Sequence, residues 1–488
     1  MTHLIFMGLF CLLSAVYGIE SEAKNLTTET KHTLLLADKS IPYTAQLGTL
    51  AVEGENKKPK AFLSYIAYTR TDGNNPARPI AFCFNGGPGS SSVWLHLGAF
   101  GPKRLVFDDL FSNLPKHSLE QNPHSLLDQM DLVFIDPVSS GFSTCAEGED
   151  PKSFHAYEAD IKAMSEFIRL YVTRFNRWGS PKILIGESYG AARAIGMVEE
   201  LANQHRIELE GLVLISPVID YQTIYGFGDG NDLPSLLYLP SYTAAAWYHQ
   251  KLPRQLLNRP LQKVLEEVEA FVLNDYGHAL LQGDYLDEKG KQQIADKIAY
   301  YTGLNRDYIL LNRLRIAPHQ FRKELFRKEH RSIGRFDCRL MGIEREPYYT
   351  NCEADPGEKM IGGKFAAALN QYFFQDLNWK NDLKYEILGK VHPWEYSGAS
   401  NRYLNLSSTL ARILSQNRGL QVLIAAGCYD LAIPYFSVHY VVNHLGLEQT
   451  LKDNIQTHFY DSGHMIYLET PAQIKLSEQI KKRFARKN

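Results

Sequence analysis

Six short stretches of this chain are apolar almost without a break: "PIAFCFNGG", "DLVFIDP", "KILIG", "GLVLIS", "QVLIAAG" and "IQTHFYDSG". Each runs into glycine, proline, serine or aspartate. A strand with one wet face alternates polar and apolar residues. A strand that is apolar at consecutive positions is covered on both faces, as in a parallel sheet with helices above and below. The segments between the runs supply such helices. From Tyr157, apolar residues recur at Ile161, Met164, Ile168, Tyr171 and Phe175, on one helical face. After Ser188, Ile195, Val198 and Leu201 mark another. Strand alternating with helix predicts an α/β fold around a central, mostly parallel sheet.

Two other textures flank this pattern. Near the start, "HTLLLADKSIPYTAQLGTLAVEG" and "AFLSYIAYTR" alternate, which predicts antiparallel strands with "GENKKPK" as the turn. Between Asp220 and Tyr385 strand-like runs vanish. Leu261, Val264, Leu265, Val268, Phe271 and Val272 trace a helix, as do Ile294, Ile298 and Tyr301 before Gly303. The chain therefore reads as four segments: a leader at 1–18, the first part of the α/β core at 19–219 including the antiparallel strands, a largely helical insertion at 220–385, and the second part of the core at 386–488.

The leader reading rests on Leu4 to Val16, an apolar stretch short for a bilayer span, followed by Val16-Tyr17-Gly18 as a cleavage site. It predicts export, to a secreted, periplasmic or, in a eukaryote, lysosomal or vacuolar destination, with no stable membrane insertion once the leader is gone. A formal net charge of −2 gives no electrostatic reason to expect nucleic acid as a partner. Of 6 cysteines, Cys11 lies in the leader. Cys83, Cys145, Cys338, Cys352 and Cys428 remain, and Cys338 with Cys352, closing a short loop, is the first candidate for a disulfide. There is no CxxC and no zinc-like spacing, so neither a metal nor a cofactor is expected. Nothing in the sequence reports the oligomeric state.

Chemistry enters where "KILIG" gives way to a helix. Gly186-Glu187-Ser188-Tyr189-Gly190 fits G-x-S-x-G, a nucleophile elbow. The serine must occupy a strained turn, and its neighbours must lack a bulky Cβ because strand and helix nearly collide there. A serine hydroxyl needs a base, usually histidine held by a carboxylate. In this architecture the order is serine, acid, histidine, each just past a strand. "VLIAAGCYDLAIP" offers Asp430, and "THFYDSGHMIY" offers His464. Asp461 competes with Asp430, but three residues from His464 it is poorly placed to reach the far ring nitrogen. "FNGGPGSSS", after the first apolar run, supplies glycines whose N–H groups approach a ligand oxygen closely. Gly87 and Tyr189 are the predicted donors to an oxyanion.

In order and spacing, "NGGPGSSS", "NPHSLLDQMDLVFIDPVSSGFS", "GESYG", "YDLAIP" and "SGHMIY" resemble the serine carboxypeptidase family of α/β-hydrolases. The resemblance covers about 79–220 and 385 to the end, with the insertion where the family keeps its cap. It implies an exopeptidase acting on peptide or protein C-termini through an acyl-enzyme, with Ser188 as nucleophile, His464 as base and Asp430 as orienter. It also implies that Asn85 and Glu187 recognise the terminal carboxylate. Three departures stand out: Cys83 replaces a tryptophan, Ser90 replaces a cysteine, and Ala99 replaces a second glutamate. They resemble a bacterial-type branch of the family. The missing glutamate leaves Glu187 without its family partner, which keeps an esterase or acyltransferase with the same triad as the alternative. A non-catalytic secreted binding protein is the third reading.

Overall fold

A computed structural model describes residues 27–36, 38–54, 57–73, 77–112, 115–228, 230–396 and 402–485. The predicted leader at 1–18 lies outside them. Three strands, β1 (Thr27–Leu35), β2 (Ser40–Glu53) and β3 (Pro59–Arg70), form an antiparallel meander. The stretch read from the sequence as one long first strand is thus two, and the Leu36 N–H donates to the Lys39 carbonyl at 2.8 Å where the chain turns back. β2 alternates buried and half-buried positions along its length, which is the signature of a one-sided strand.

Next come β4 (Ile80–Phe84), then β5 (Lys103–Phe107) and β6 (His117–Gln121), which pair with each other in a separate ribbon. β7 (Asp131–Ile135), the two-residue β8 (Thr144–Cys145), β9 (Lys182–Glu187) and β10 (Gly211–Ile215) follow. The remaining strands are β11 (Arg331–Ile333), β12 (Met341–Ile343), β13 (Gln421–Gly427) and β14 (Ile455–Tyr460). The main sheet runs β1-β2-β3-β7-β4-β9-β10-β13-β14, with β8 paired to β3. From β7 to β14 every pairing is parallel. These are the six apolar runs, and β4, β7, β9 and β10 are buried at every residue.

Consecutive residues of one strand feed opposite layers. Phe82 and Phe84 pack with the helices Tyr157–Arg174 and Tyr189–His205. Ala81 and Cys83 pack beneath the helices Pro356–Gln375 and Thr470–Phe484. Each large apolar side chain buried this way contributes roughly 1.5–3 kcal/mol, so the strand ends are held rigidly enough to tolerate local strain. The helix Pro356–Gln375, at the end of the segment read as an insertion, packs on this sheet face through Phe365, Leu369 and Tyr372. The rest of that segment is helical, including Leu233–Tyr248, Leu261–Phe271 and Glu288–Thr302, except for the β11–β12 ribbon, which three-residue strands made invisible to periodicity.

The expected Cys338–Cys352 disulfide is absent: both thiols are free. Cys338 is buried, with its N–H on the Tyr429 carbonyl at 3.0 Å. Cys352 lies among Ser332, Arg322 and Glu344 instead. Closeness in sequence does not fix direction, and the two side chains serve different surroundings.

Candidate active site

β9 ends in the elbow. Ser188 has φ 59° and ψ −125°, a left-handed conformation costly for a residue with a Cβ. Its N–H donates to the Ile215 carbonyl of β10 at 2.9 Å, and its side chain does not cap the helix that starts at Tyr189. The hydroxyl is left for other work. The glycines show why the turn needs them. A Cβ on Gly190 would sit 2.8 Å from the Phe84 carbonyl oxygen, and one on Gly86 would sit 2.5 Å from the Tyr189 nitrogen. A Cβ on Gly186 would fall onto the Gly190 carbonyl.

Beneath the elbow, Arg193 is fully buried. It donates to Asp160 Oδ2 at 2.8 Å and to the Asn85 carbonyl at 2.7 Å. The Tyr189 hydroxyl donates to the same Asp160 oxygen at 3.0 Å. One buried ion pair therefore ties the helix Tyr157–Arg174, the elbow and the glycine loop together. On the other side of that loop, Asp136 Oδ1 accepts from the Ser92 N–H, the Ser92 hydroxyl and the Tyr385 hydroxyl. None of these supports was read from the sequence, because each joins residues far apart in it.

His464 and Asp430 meet. His464 Nδ1 lies 2.6 Å from Asp430 Oδ2, and both residues are buried. The other carboxylate oxygen, Oδ1, accepts from the N–H groups of Ala432 at 2.7 Å and Ile433 at 3.0 Å. Asp461, the competitor, is exposed and contributes only its carbonyl, to Arg339. Burial pulls the His464 pKa down, but the charge and hydrogen bond of Asp430 outweigh it and lift the imidazole above its ordinary value. With Nδ1 engaged by the carboxylate, Nε2 is the nitrogen left for proton transfer.

Ser188 and His464 line one cavity of about 150 Å³, together with Asn85, Gly87 and Glu187. To the same cavity the β11–β12 loop contributes Arg335 and Phe336, and the helix Pro356–Gln375 contributes Glu358 and Ile361. A larger cleft of about 1000 Å³ around Asp232 and Arg315 includes none of the residues predicted from motifs. As the first residue of its helix, Tyr189 has no carbonyl one turn back for its N–H. Neither that N–H nor the N–H of Gly87 finds an acceptor among the described residues. Both are available to a ligand oxygen. Among the described residues no cluster of histidine, cysteine, aspartate or glutamate is arranged to hold a metal ion.

Glu187 is buried and lines the cavity. Its Oε2 accepts from Asn85 Nδ2 at 2.5 Å and from the Tyr467 hydroxyl at 2.6 Å. Burial raises its pKa to about 7 against the opposing effects of His464 and these two donors. Asn85 is committed elsewhere as well: its Oδ1 accepts from the Leu95 N–H at 3.1 Å. Tyr467 is the partner that the missing glutamate left open. It lies inside "SGHMIY", three residues after His464, but its contact with Glu187 joins segments too far apart in the chain to be read from the sequence. Ala99 is buried and offers only its carbonyl, which Asn122 and Gln473 occupy. Ser90 accepts from the Trp94 indole at 3.0 Å.

A parallel sheet flanked by helices, carrying a serine elbow at the end of β9 and an Asp–His pair past β13 and β14, defines an α/β-hydrolase. The family described as serine carboxypeptidase matches residues 41–470, and the chain belongs to it. Among curated relatives, serine carboxypeptidase-like 45 of Arabidopsis thaliana is 29% identical over 182 residues, 35% of this chain and 36% of that protein. Serine carboxypeptidase-like 36 of the same plant is 26% identical over 35% of each chain. These alignments thus span about a third of the relatives' length. Among solved structures, Kex1Δp, a prohormone-processing carboxypeptidase from Saccharomyces cerevisiae, superposes with a TM-score of 0.57. The match covers 90% of this chain and 91% of that one at 17% identity, a likeness of fold.

Proposed function

We propose that this chain is a serine carboxypeptidase that releases C-terminal residues from peptides through an acyl-enzyme. The observation that carries the reading is the 2.6 Å contact between buried His464 Nδ1 and Asp430, beside a strained Ser188 on the same cavity. Ser188 Oγ attacks the last peptide carbonyl and its proton passes to His464 Nε2. Asp430 fixes the tautomer and stabilises the imidazolium. The N–H groups of Gly87 and Tyr189 hold the oxyanion. His464 then gives its proton to the departing amine, and water, deprotonated by the same nitrogen, hydrolyses the acyl-enzyme. Glu187 and Asn85 receive the substrate's terminal carboxylate. A neutral Glu187 donates a hydrogen bond to that carboxylate and an ionised one repels it, so binding favours the acid side of about pH 7.

Family membership and the apolar leader support peptide substrates and a secretory or vacuolar route. Among the described residues no helix is long and apolar enough to cross a membrane. Ala99 favours a second reading, an esterase or acyltransferase with the same triad. Product analysis decides: incubation with a peptide pool releases single C-terminal residues, and a C-terminal amide suppresses release. Equal cleavage of acid and amide, or turnover of esters alone, would favour the second reading.

A further inference from the structure

We propose that Arg335 is a specificity-determining residue that takes a carboxylate of the substrate at the mouth of the Ser188 cavity. The inference rests on the hydrolase reading above.

The loop between β11 and β12 is braced on both catalytic loops by its main chain. The Arg335 carbonyl accepts from the N–H of Leu431, next to Asp430, at 2.9 Å. The Phe336 carbonyl accepts from the N–H of His464 at 2.6 Å. The Cys338 N–H donates to the Tyr429 carbonyl, and the Arg335 N–H donates to Asp355. A Cβ on Gly463 would lie 2.6 Å from the Asp337 Cβ, so the two loops are in full contact. Arg335 is thereby presented from a fixed backbone.

Its side chain is exposed and lines the cavity. The guanidinium lies 5.3 Å from the centre of the Phe336 ring, and that ring stands 5.3 Å from the His464 ring. Neighbouring arginines are satisfied: Arg322 pairs with Asp355, Arg327 with Glu324, and Arg339 with Asp337 and Glu469. Among the described residues no carboxylate pairs with Arg335, not even Glu358, which lines the same cavity. A guanidinium is always charged and presents a planar fork that fits a carboxylate. An unmatched one beside the reacting groups is a receptor for that chemistry. Two substrate groups carry it: the terminal α-carboxylate, and an aspartate or glutamate side chain flanking the scissile bond.

The test compares wild type with Arg335→Gln and Arg335→Met. Two substrate pairs are used: a C-terminal acid against its amide, and glutamate against glutamine next to the cleaved bond. Stoichiometric labelling of Ser188 by an uncharged fluorophosphonate shows that a variant is folded. Losing a charge-assisted hydrogen bond lowers kcat/KM by roughly 10- to 100-fold for the carboxylate-bearing member only. Collapse of the acid-to-amide ratio assigns Arg335 to the terminal carboxylate, and collapse of the glutamate-to-glutamine ratio assigns it to the side chain. If both ratios are unchanged in a folded variant, the proposal is overturned. If wild type cleaves no peptide, the carboxypeptidase reading fails separately. Aryl esters of succinic and butyric acids then give the same carboxylate-to-neutral ratio and still decide the role of Arg335.

Discussion

Replacing Tyr467 by phenylalanine isolates one contribution to the acidity of Glu187. The hydroxyl donates to Glu187 Oε2 at 2.6 Å, and Asn85 Nδ2 donates to the same oxygen at 2.5 Å. Both bonds favour the ionised carboxylate; burial opposes them, prevails, and leaves the group at about 7. Phenylalanine fills the same volume, so burial is preserved while one stabiliser of the anion is lost. A hydrogen bond to a charged group contributes about 1.5–3 kcal/mol, which moves the titration up by about one to two pH units. If neutral Glu187 receives the substrate's carboxylate, kcat/KM for a free-acid peptide falls as the pH rises through about 7 in wild type. In Tyr467→Phe the fall comes later by that interval.

His464 and Glu187 influence each other's protonation, so the limbs of a single bell-shaped profile belong to the pair. Dividing the profile of the acid by that of the matched amide removes what both substrates demand of His464. The midpoint of this ratio is the quantity to compare. A midpoint that stays put, or moves to lower pH, in a folded Tyr467→Phe protein refutes the assignment of Glu187 as the carboxylate's partner.

Ser188→Ala should lower kcat by about 10⁶-fold with little change in stability, read by peptide turnover and thermal melting. Ser188→Gly should be equally inactive yet more stable by about 1 kcal/mol, since glycine accepts the φ of 59° that strains serine. Glu187→Gln should change how stability depends on pH. The folded protein holds the Glu187 proton up to about 7 against 4.5 in a free side chain, so this residue's contribution is full below 4.5 and is lost as the pH rises to 7. The difference between wild type and variant in urea unfolding should therefore shift by about 3 kcal/mol across that window. Arg193→Met strands buried Asp160 and should cost about 3–5 kcal/mol by the same measurement.

What the sequence made legible was whatever one stretch of chain decides by itself. Strands buried on both faces need apolar residues at every position, so β4, β7, β9, β10 and β13 announced themselves. The elbow was legible for the same reason: its glycines answer to contacts within the turn and with the adjacent strand. Strand order then carried Asp430 and His464 to one edge, since both follow parallel neighbours. Contacts between remote segments left no such trace. Arg193 reads as one more charge on a helix until Asp160 and the Asn85 carbonyl are seen around it. The fold-back between β1 and β2 was hidden because β1 is polar up to Leu34 and offers no apolar alternation of its own, so its last residues read as the start of the strand that follows. The pairing of Cys338 with Cys352 failed because spacing describes loop length and not the direction of two side chains.

The departure at Ala99 looked from the sequence like a loss, and the structure gives it another meaning. Gly98 and Ala99 sit in a buried helical turn, Trp94–Phe100, where small residues leave room. A Cβ on Gly98 would stand 2.7 Å from the Tyr467 ring, so the ring occupies space that a larger residue at 98 would contest. Tyr467 enters from the segment just after His464 and places its hydroxyl on Glu187. A carboxyl partner has two protonation states, so a pair of carboxyl groups shares a proton and responds steeply to acidity. A phenol whose own pKa is driven far up by burial has one state across the physiological range. With the phenol in that place, Glu187 has no titrating carboxyl among its hydrogen-bond partners. The pH response proposed for carboxylate binding then rests on Glu187, whose protonation is coupled to that of His464, without the second acidic donor of the family pattern. If Arg335, which lines the same cavity and has no carboxylate partner among the described residues, takes a substrate carboxylate as proposed, it supplies a charge that does not titrate.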